Sequence, residues 1–206
     1  MSGQAAGSAS LRVQAAARLA AARQALVAAL SLEEVAHCER TAATARELAQ
    51  AHGLDADKAE FSGLVHDIAR ALSKEELLAV ARRYEIPVSN VDRARPYLLH
   101  AQVGAHLLPE TLGVDDPEVI DAVASHTFGR VGMTDLDKVI YLADTIEPSR
   151  GFVGVDELRA TAMRDLDEAM RMAYRLAINH LTEKGRPLHP RTVEVWNWLT
   201  LAVEEA

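Results

Sequence analysis

The sequence predicts an all-α fold, a bundle of about eight or nine helices, and three observations carry that expectation. The composition leans to Ala, Leu, Val, Glu and Arg, with 4% aromatic residues, 7 prolines and 11 glycines in 206 residues. Such a mix favours helix over strand. No stretch alternates apolar and polar residues with a period of two, as a half-buried strand would. Helix-start signals recur: Ser73 with Glu76, and Thr134 with Asp137, each place a hydroxyl three residues before an acid. The length suits one domain plus a short extension: a disordered tail over 1–10, a helical extension over 11–30 and a main domain over 31–206.

Residues 1–10 are small, uncharged and aperiodic, so they offer nothing to bury. From Leu11 to Leu30 an Ala-Arg pattern suits an amphipathic helix with weak burial. A second helix is expected from about Leu32 to His52, stopping at Gly53. The third starts near Asp57, carries Phe61, Leu64, Val65 and Ile68, and holds His66 and Asp67 near its end. Another begins after Ser73 and ends before Pro87. Ile86–Pro96, with prolines at both ends and mixed charges, is expected to be a loop. Tyr97–Leu108 is helical, and Pro109 is expected to close it. Asp116 caps, and Pro117 opens, a helix that reaches His126. Thr127–Met133, with its two glycines, is a loop, after which the Thr134 helix runs through Asp144 towards Pro148. A loop over Ser149–Val155 precedes the longest expected helix, about Asp156–Glu183, with Leu158, Ala162, Leu166, Met170, Ala173 and Ala177 at helical spacing. Gly185 and Pro187 end it. The last helix starts near Pro190 and carries Val193, Trp196 and Leu199.

The formal charge of -8 argues against a broad nucleic-acid surface, because a phosphate backbone demands a basic one. An acidic protein can still hold a phosphate where metal ions supply the positive charge. Cys38 is the single cysteine, which excludes an internal disulfide and a thiolate metal cage. Arg12, Arg18 and Arg23 interrupt the one stretch that approaches a membrane span, Leu11–Leu30, which also lacks the charged start and uninterrupted apolar middle of a secretory signal, so a cytoplasmic protein is expected.

Among 8 histidines, His66 stands out, because it is followed by an acid inside the apolar run Leu64-Val65-His66-Asp67-Ile68-Ala69. Burying an imidazole and a carboxylate there costs several kcal/mol unless each finds a partner. A metal ion satisfies both; a plain His–Asp hydrogen bond is the other reading. The company decides. His37, His100 and His126 lie on other elements, and Asp144 sits in the apolar Tyr141-Leu142-Ala143-Asp144-Thr145-Ile146. His and Asp without Cys suit Fe, Mn, Co, Mg or catalytic Zn.

The order His37, His66-Asp67, Asp144 resembles the HD-domain superfamily of metal-dependent phosphohydrolases. His100 and His126 resemble the subset that binds a second metal. The sequence is most similar to the YqeK family, symmetrical bis(5′-nucleosyl)-tetraphosphatases. That resemblance rests on Gly63-Leu-Val-His-Asp-Ile-Ala-Arg70, Leu98-Leu-His-Ala-Gln-Val-Gly-Ala105, His126-Thr-Phe-Gly, Met133-Thr-Asp-Leu-Asp-Lys138 and Ala143-Asp-Thr-Ile-Glu-Pro-Ser-Arg150, with Gly185–Thr192 and Asn197 in the tail. The chain departs from the family pattern at Arg70, usually Lys, at Ala101, often Gly, and at Glu34, where the family tends to carry Arg.

The resemblance implies an HD-type hydrolase over 31–206, with His37, His66, Asp67 and Asp144 holding one metal. Asp67 would bridge to a second metal held with His100 and His126. It also implies an activated hydroxide that cleaves diadenosine tetraphosphate into two ADP, with iron first among the candidate metals and Mn, Co, Mg or Zn behind it. Asp67, Arg150 and Lys138 are then the catalytic candidates. Arg150, Lys138, Thr127 and Arg70 are the candidate contacts to a dinucleoside polyphosphate. Solvated charges at Arg150 and Lys138, and a turn role for Thr127, are the plain alternatives. Another nucleotide substrate, or a non-catalytic nucleotide-binding module, is the alternative function, because fold does not fix substrate. A homodimer fits the family type, although no segment marks its interface.

The remaining histidines match no ligand position. His52 and His180 are expected on helix surfaces, His106 in the core or behind the ligands, and His189 in a turn. Cys38 is expected as a small buried filler, and Trp196 and Trp198 as packing for the last helix, with a nucleobase contact as the alternative.

Overall fold

The computed structural model describes the backbone of residues 3–204 and the side chains of residues 16–201. Within it the chain forms α1 (Gly3–Ala29), α2 (Leu32–Ala51), α3 (Ala56–Val65), α4 (Lys74–Arg83), α5 (Asn90–Ala94), a 3-10 turn (Pro96–Leu99) and α6 (His100–Leu112). It continues through α7 (Pro117–Ser125), α8 (Asp135–Ile146), α9 (Val155–Ala162), α10 (Leu166–Glu183) and α11 (Pro190–Glu204). No strand occurs among the described residues, so the all-helical expectation holds. None of the described helices is long and apolar enough to cross a membrane.

The helix count exceeds the expected range for three local reasons. First, Ile86–Pro96 is not all loop: Ser89 accepts from the Asp92 N–H and Asp92 caps Ser89 in return, which nucleates α5 between the two prolines. Second, the long segment expected over 156–183 breaks at Met163–Asp165, where the Asp165 carboxylate accepts from the Glu168 N–H and starts α10 afresh. Third, Pro96 opens a separate 3-10 turn before His100. Pro109 does not end α6; the helix runs on to Leu112 and closes at Gly113, whose φ of 62° is the left-handed cap conformation. At the other end of the chain α1 begins at Gly3, inside the stretch expected to be a disordered tail. Its alanine content favours helix on intrinsic grounds.

Glu34 has a local purpose. It is the third residue of α2, and its carboxylate accepts from the Ser31 N–H at 2.9 Å while Ser31 caps Glu34. Behind this cap, α2 lies tightly against α3 and also against α8, with α7 completing the centre. The closeness comes from small residues: a Cβ on Gly63 would stand 3.0 Å from Ala42 Cα and 3.1 Å from Ala45 Cβ. One apolar cluster (Leu26, Phe61, Leu64, Leu108, Val119) joins α1, α3, α6 and α7 on one side. Another (Leu48, Ile140, Leu142, Leu158, Met170, Tyr174) joins α2, α8, α9 and α10 on the other. The candidate ligands lie in the seam between them.

Candidate metal centre

Each proposed ligand is set by the end or face of one helix. His37 is on the part of α2 that faces α8, and Asp144 is on α8 opposite it, with His37 Nε2 3.0 Å from Asp144 Oδ1. The α3 helix stops at Val65, one residue before the expected pair, so His66 caps it and Asp67 follows in a turn. His100 opens α6 and His126 caps α7. The six side chains converge. Three overlapping groups, His37–His66–Asp67, His66–His126–Asp144 and Asp67–His100–His126, each place their ligating atoms within 4.8 Å of one another.

The backbone decides which nitrogen of each ring faces inward. Nδ1 of His66 lies 2.7 Å from the Gly63 carbonyl, that of His100 2.7 Å from the Tyr97 carbonyl, and that of His126 2.8 Å from the Val123 carbonyl. A carbonyl only accepts, so each Nδ1 carries the proton and each Nε2 lone pair is free to bind. His37 is oriented differently, its Nδ1 standing 3.2 Å from the Glu147 carboxylate.

This arrangement is strained without a cation. His100 Nε2 and His126 Nε2 stand 3.0 Å apart with no donor between them unless one ring takes a second proton. His66 Nε2 is buried with no hydrogen-bond partner, and Asp67 Oδ1, although 3.0 Å from His100 Nε2, has no aligned donor. Buried acceptors facing one another cost free energy that a metal would recover, so the residues present fit a metal ion. The electrostatics agree. Burial alone would raise the Asp67 and Asp144 carboxyls, but the imidazoles around them hold both well below the usual range. Burial lowers His66 to about 4, keeping it neutral as a ligand must be.

Glu147 belongs to this site, and the sequence reading assigned it no role. It is 1% exposed at the end of α8. Besides facing His37 it accepts from Arg40 Nε at 2.7 Å and from the Ser149 N–H at 2.8 Å. Burial pushes its carboxyl up, yet Arg40 and Ser149 outweigh burial and leave it at about 2. A signal was available: an acid at a helix C-terminus opposes the helix dipole and needs a reason to be there.

The candidate substrate contacts divide. Arg70, Thr127 and Arg150 line a cleft of about 190 Å³ that opens onto Asp67, His100, His126 and Asp144. Arg150 Nη2 reaches Asp144 Oδ1 at 2.6 Å. Lys138 does not line the cleft. It is held by Asp135 at 2.9 Å and Asp167 at 2.7 Å, because its position on α8 faces α10.

Three other histidines depart from expectation. His52 caps the end of α2 and bonds the Ala162 carbonyl at 2.7 Å. His106 is exposed and stacks on Tyr84 rather than lying behind the ligands. His189 is buried at the start of α11, 3.2 Å from Asp92 and stacked on Phe128. It thereby ties α5 and α11 to the turn that carries His126. His180 is exposed and Cys38 fully buried, as expected. Trp196 and Trp198 pack on the core, and Val193 faces solvent while Val195 and Leu199 face in.

The chain is similar over most of its length to known proteins. The family model of the HD domain matches residues 35–149, more than half of the chain. The symmetrical bis(5′-nucleosyl)-tetraphosphatase of Bacillus subtilis (strain 168) is 44% identical over 156 residues, 76% of this chain and 83% of the relative. The protein of the same name in Staphylococcus aureus is 30% identical over 170 residues, covering 82% of this chain and 87% of the relative. A crystal structure from Clostridium acetobutylicum, described as a predicted HD superfamily hydrolase involved in NAD metabolism, superposes with a TM-score of 0.84 at 36% identity, covering 88% of this chain and 96% of that one.

Proposed function

Because the chain belongs to the HD-domain family, in the group of the symmetrical bis(5′-nucleosyl)-tetraphosphatases, we propose that it hydrolyses diadenosine tetraphosphate symmetrically, adding one water and releasing two ADP. The observation that carries the reading is the convergence of the Nε2 atoms of His66, His100 and His126 on Asp67, beside a cleft edged by Arg70 and Arg150.

In this reading His37, His66, Asp67 and Asp144 hold one metal, and Asp67, His100 and His126 hold a second, with Asp67 shared. Two of the ligand groups already meet at Asp67, which supports a pair. Iron is the metal we propose first, with Mn, Co, Mg or Zn able to use the same donors. When bound, the metal supplies Lewis acidity, making water a nucleophile at neutral pH and offsetting charge on the phosphate oxygens. The protein's own groups do the rest. Arg150 leans over Asp144 and can move to a phosphate oxygen, Arg70 offers a second guanidinium, and the Thr127 hydroxyl can donate to the polyphosphate. Lys138 is left to its two acids.

The test is product analysis. Protein loaded anaerobically with iron, or with manganese in parallel, is given diadenosine tetraphosphate, and the products are resolved by anion exchange. Two ADP per substrate, abolished in Asp67→Ala, is the expected result. AMP plus ATP, or turnover that survives Asp67→Ala, would overturn the reading.

A further inference from the structure

The cleft is small for its proposed substrate. Its volume of about 190 Å³ lies below the roughly 300 Å³ at which pockets that enclose a small molecule begin. It can take phosphate groups, while the nucleosides must lie along its rim. A base on a protein rim is held most simply by an aromatic face.

The chain has few aromatic residues, and nearly all are engaged elsewhere. Phe61 is in the core and Phe128 stacks on His189, while Tyr141 lines the cleft but is only 8% exposed, with its ring stacked on Tyr174. Trp196 and Trp198 pack against the core, and Tyr84 is occupied by Glu110 and His106. Phe152 is partly exposed but does not line the cleft. Tyr97 remains. It lines the cleft with its side chain 45% exposed, and its backbone carbonyl orients His100. The Arg70 guanidinium carbon lies over the Tyr97 ring, 5.9 Å from its centroid, and Arg70 also lines the cleft.

We propose that Tyr97 is the platform on which one nucleobase of the substrate stacks, with Arg70 placed between that base and its phosphates. The inference rests on the nucleotide reading above and adds to it the residue that recognises the base. Tyr97 is a specificity residue: its ring holds the nucleoside and takes no part in bond cleavage.

The experiment is calorimetric binding of ADP and, separately, of inorganic pyrophosphate, to manganese-loaded wild type, Tyr97→Ala, Tyr97→Leu and Tyr97→Phe. The platform predicts that Tyr97→Ala and Tyr97→Leu weaken ADP roughly tenfold, that Tyr97→Phe keeps wild-type affinity, and that pyrophosphate binding is the same in all four. Equal losses for ADP and pyrophosphate would assign Tyr97 to the phosphates or to His100 and overturn the proposal. So would a Tyr97→Leu protein that binds ADP like wild type, or a wild type that binds no ADP. Because binding is read without turnover, failure to form ADP from diadenosine tetraphosphate would overturn the reaction while leaving the platform standing.

Discussion

A buried acid at the end of α8 controls the direction of a proposed ligand from α2. Glu147 accepts from the His37 Nδ1–H at 3.2 Å and anchors itself on Arg40 and Ser149, so its carboxylate fixes the ring that would present Nε2 to a metal. Glu147→Gln keeps the volume but turns an amide NH₂ towards either His37 or Arg40, both donors. Metal affinity should fall by about 10- to 100-fold with little change in helix content, measured by competition with a chelator. An unchanged affinity would mean that the contact only closes the end of the helix. At this scale the sequence was most legible where chemistry and environment conflict. His66, Asp67 and Asp144 betray themselves as polar residues in apolar runs, whereas Glu147, between Ile146 and Pro148, shows only the weaker signal of an acid set against the helix dipole. Lys138 illustrates the converse, since a motif drew attention to a cation whose partners, Asp135 and Asp167, are ordinary neighbours.

Between elements, the most extensive contact among the described helices is that of α2 with α3, and it rests on Gly63. A Cβ there would press on Ala42 Cα, Ala45 Cβ and the Thr41 carbonyl at 3.0–3.1 Å, atoms of a helix that cannot yield locally. Gly63→Ala should therefore cost about 1–3 kcal/mol in urea unfolding and also weaken metal binding, because His37 rides on α2 and His66 ends α3. Gly104→Ala is the comparison: its Cβ would meet the Ile68 Cγ2 methyl at 3.3 Å, a side-chain atom with room to turn, and should cost less. Equal costs would show that both helices shift freely. Caps were the readable part of the architecture. Ser73–Glu76, Asp116–Pro117 and Thr134–Asp137 begin helices in the structure as their chemistry demands. The breaks were harder. Asp165 looks like one more polar position on a helix until its carboxylate is seen capping Glu168, and Ser89–Asp92 is hidden between prolines that suggest a loop. Pro109 misled in the other direction, because α6 runs one turn past it and closes where the Gly113 N–H donates to the Pro109 carbonyl at 3.1 Å.

For the whole molecule, the site draws donors from α2, the α3 turn, α6, α7 and α8, so whatever occupies it ties those elements together. Without metal, Arg150 still pairs with Asp144, and the other cations to hand are protons on the imidazoles. Burial disfavours charge on His37 and His126, but Asp144 beside the first and Asp67 beside the second raise both above the ordinary imidazole value. A raised folded pKa gives stability that is complete below the unfolded value of about 6.5 and is lost as pH climbs through the folded value. His66 acts in the opposite window: held at about 4 by burial, it destabilises only as pH falls below the unfolded value. Metal-free protein should thus lose stability as pH rises above about 6.5, where the protons leave His37 and His126 and the carboxylates of Asp67 and the half-buried Asp144 lose those imidazolium partners. Metal needs those same nitrogens deprotonated, so its affinity rises over that range, and at about 100 times its Kd it contributes roughly 2.7 kcal/mol. Melting temperatures of manganese-loaded and chelator-treated protein should separate progressively as pH rises above about 6.5. A gap that stays constant would mean that His37 and His126 are already neutral in the metal-free state, and that the carboxylates find their compensation elsewhere.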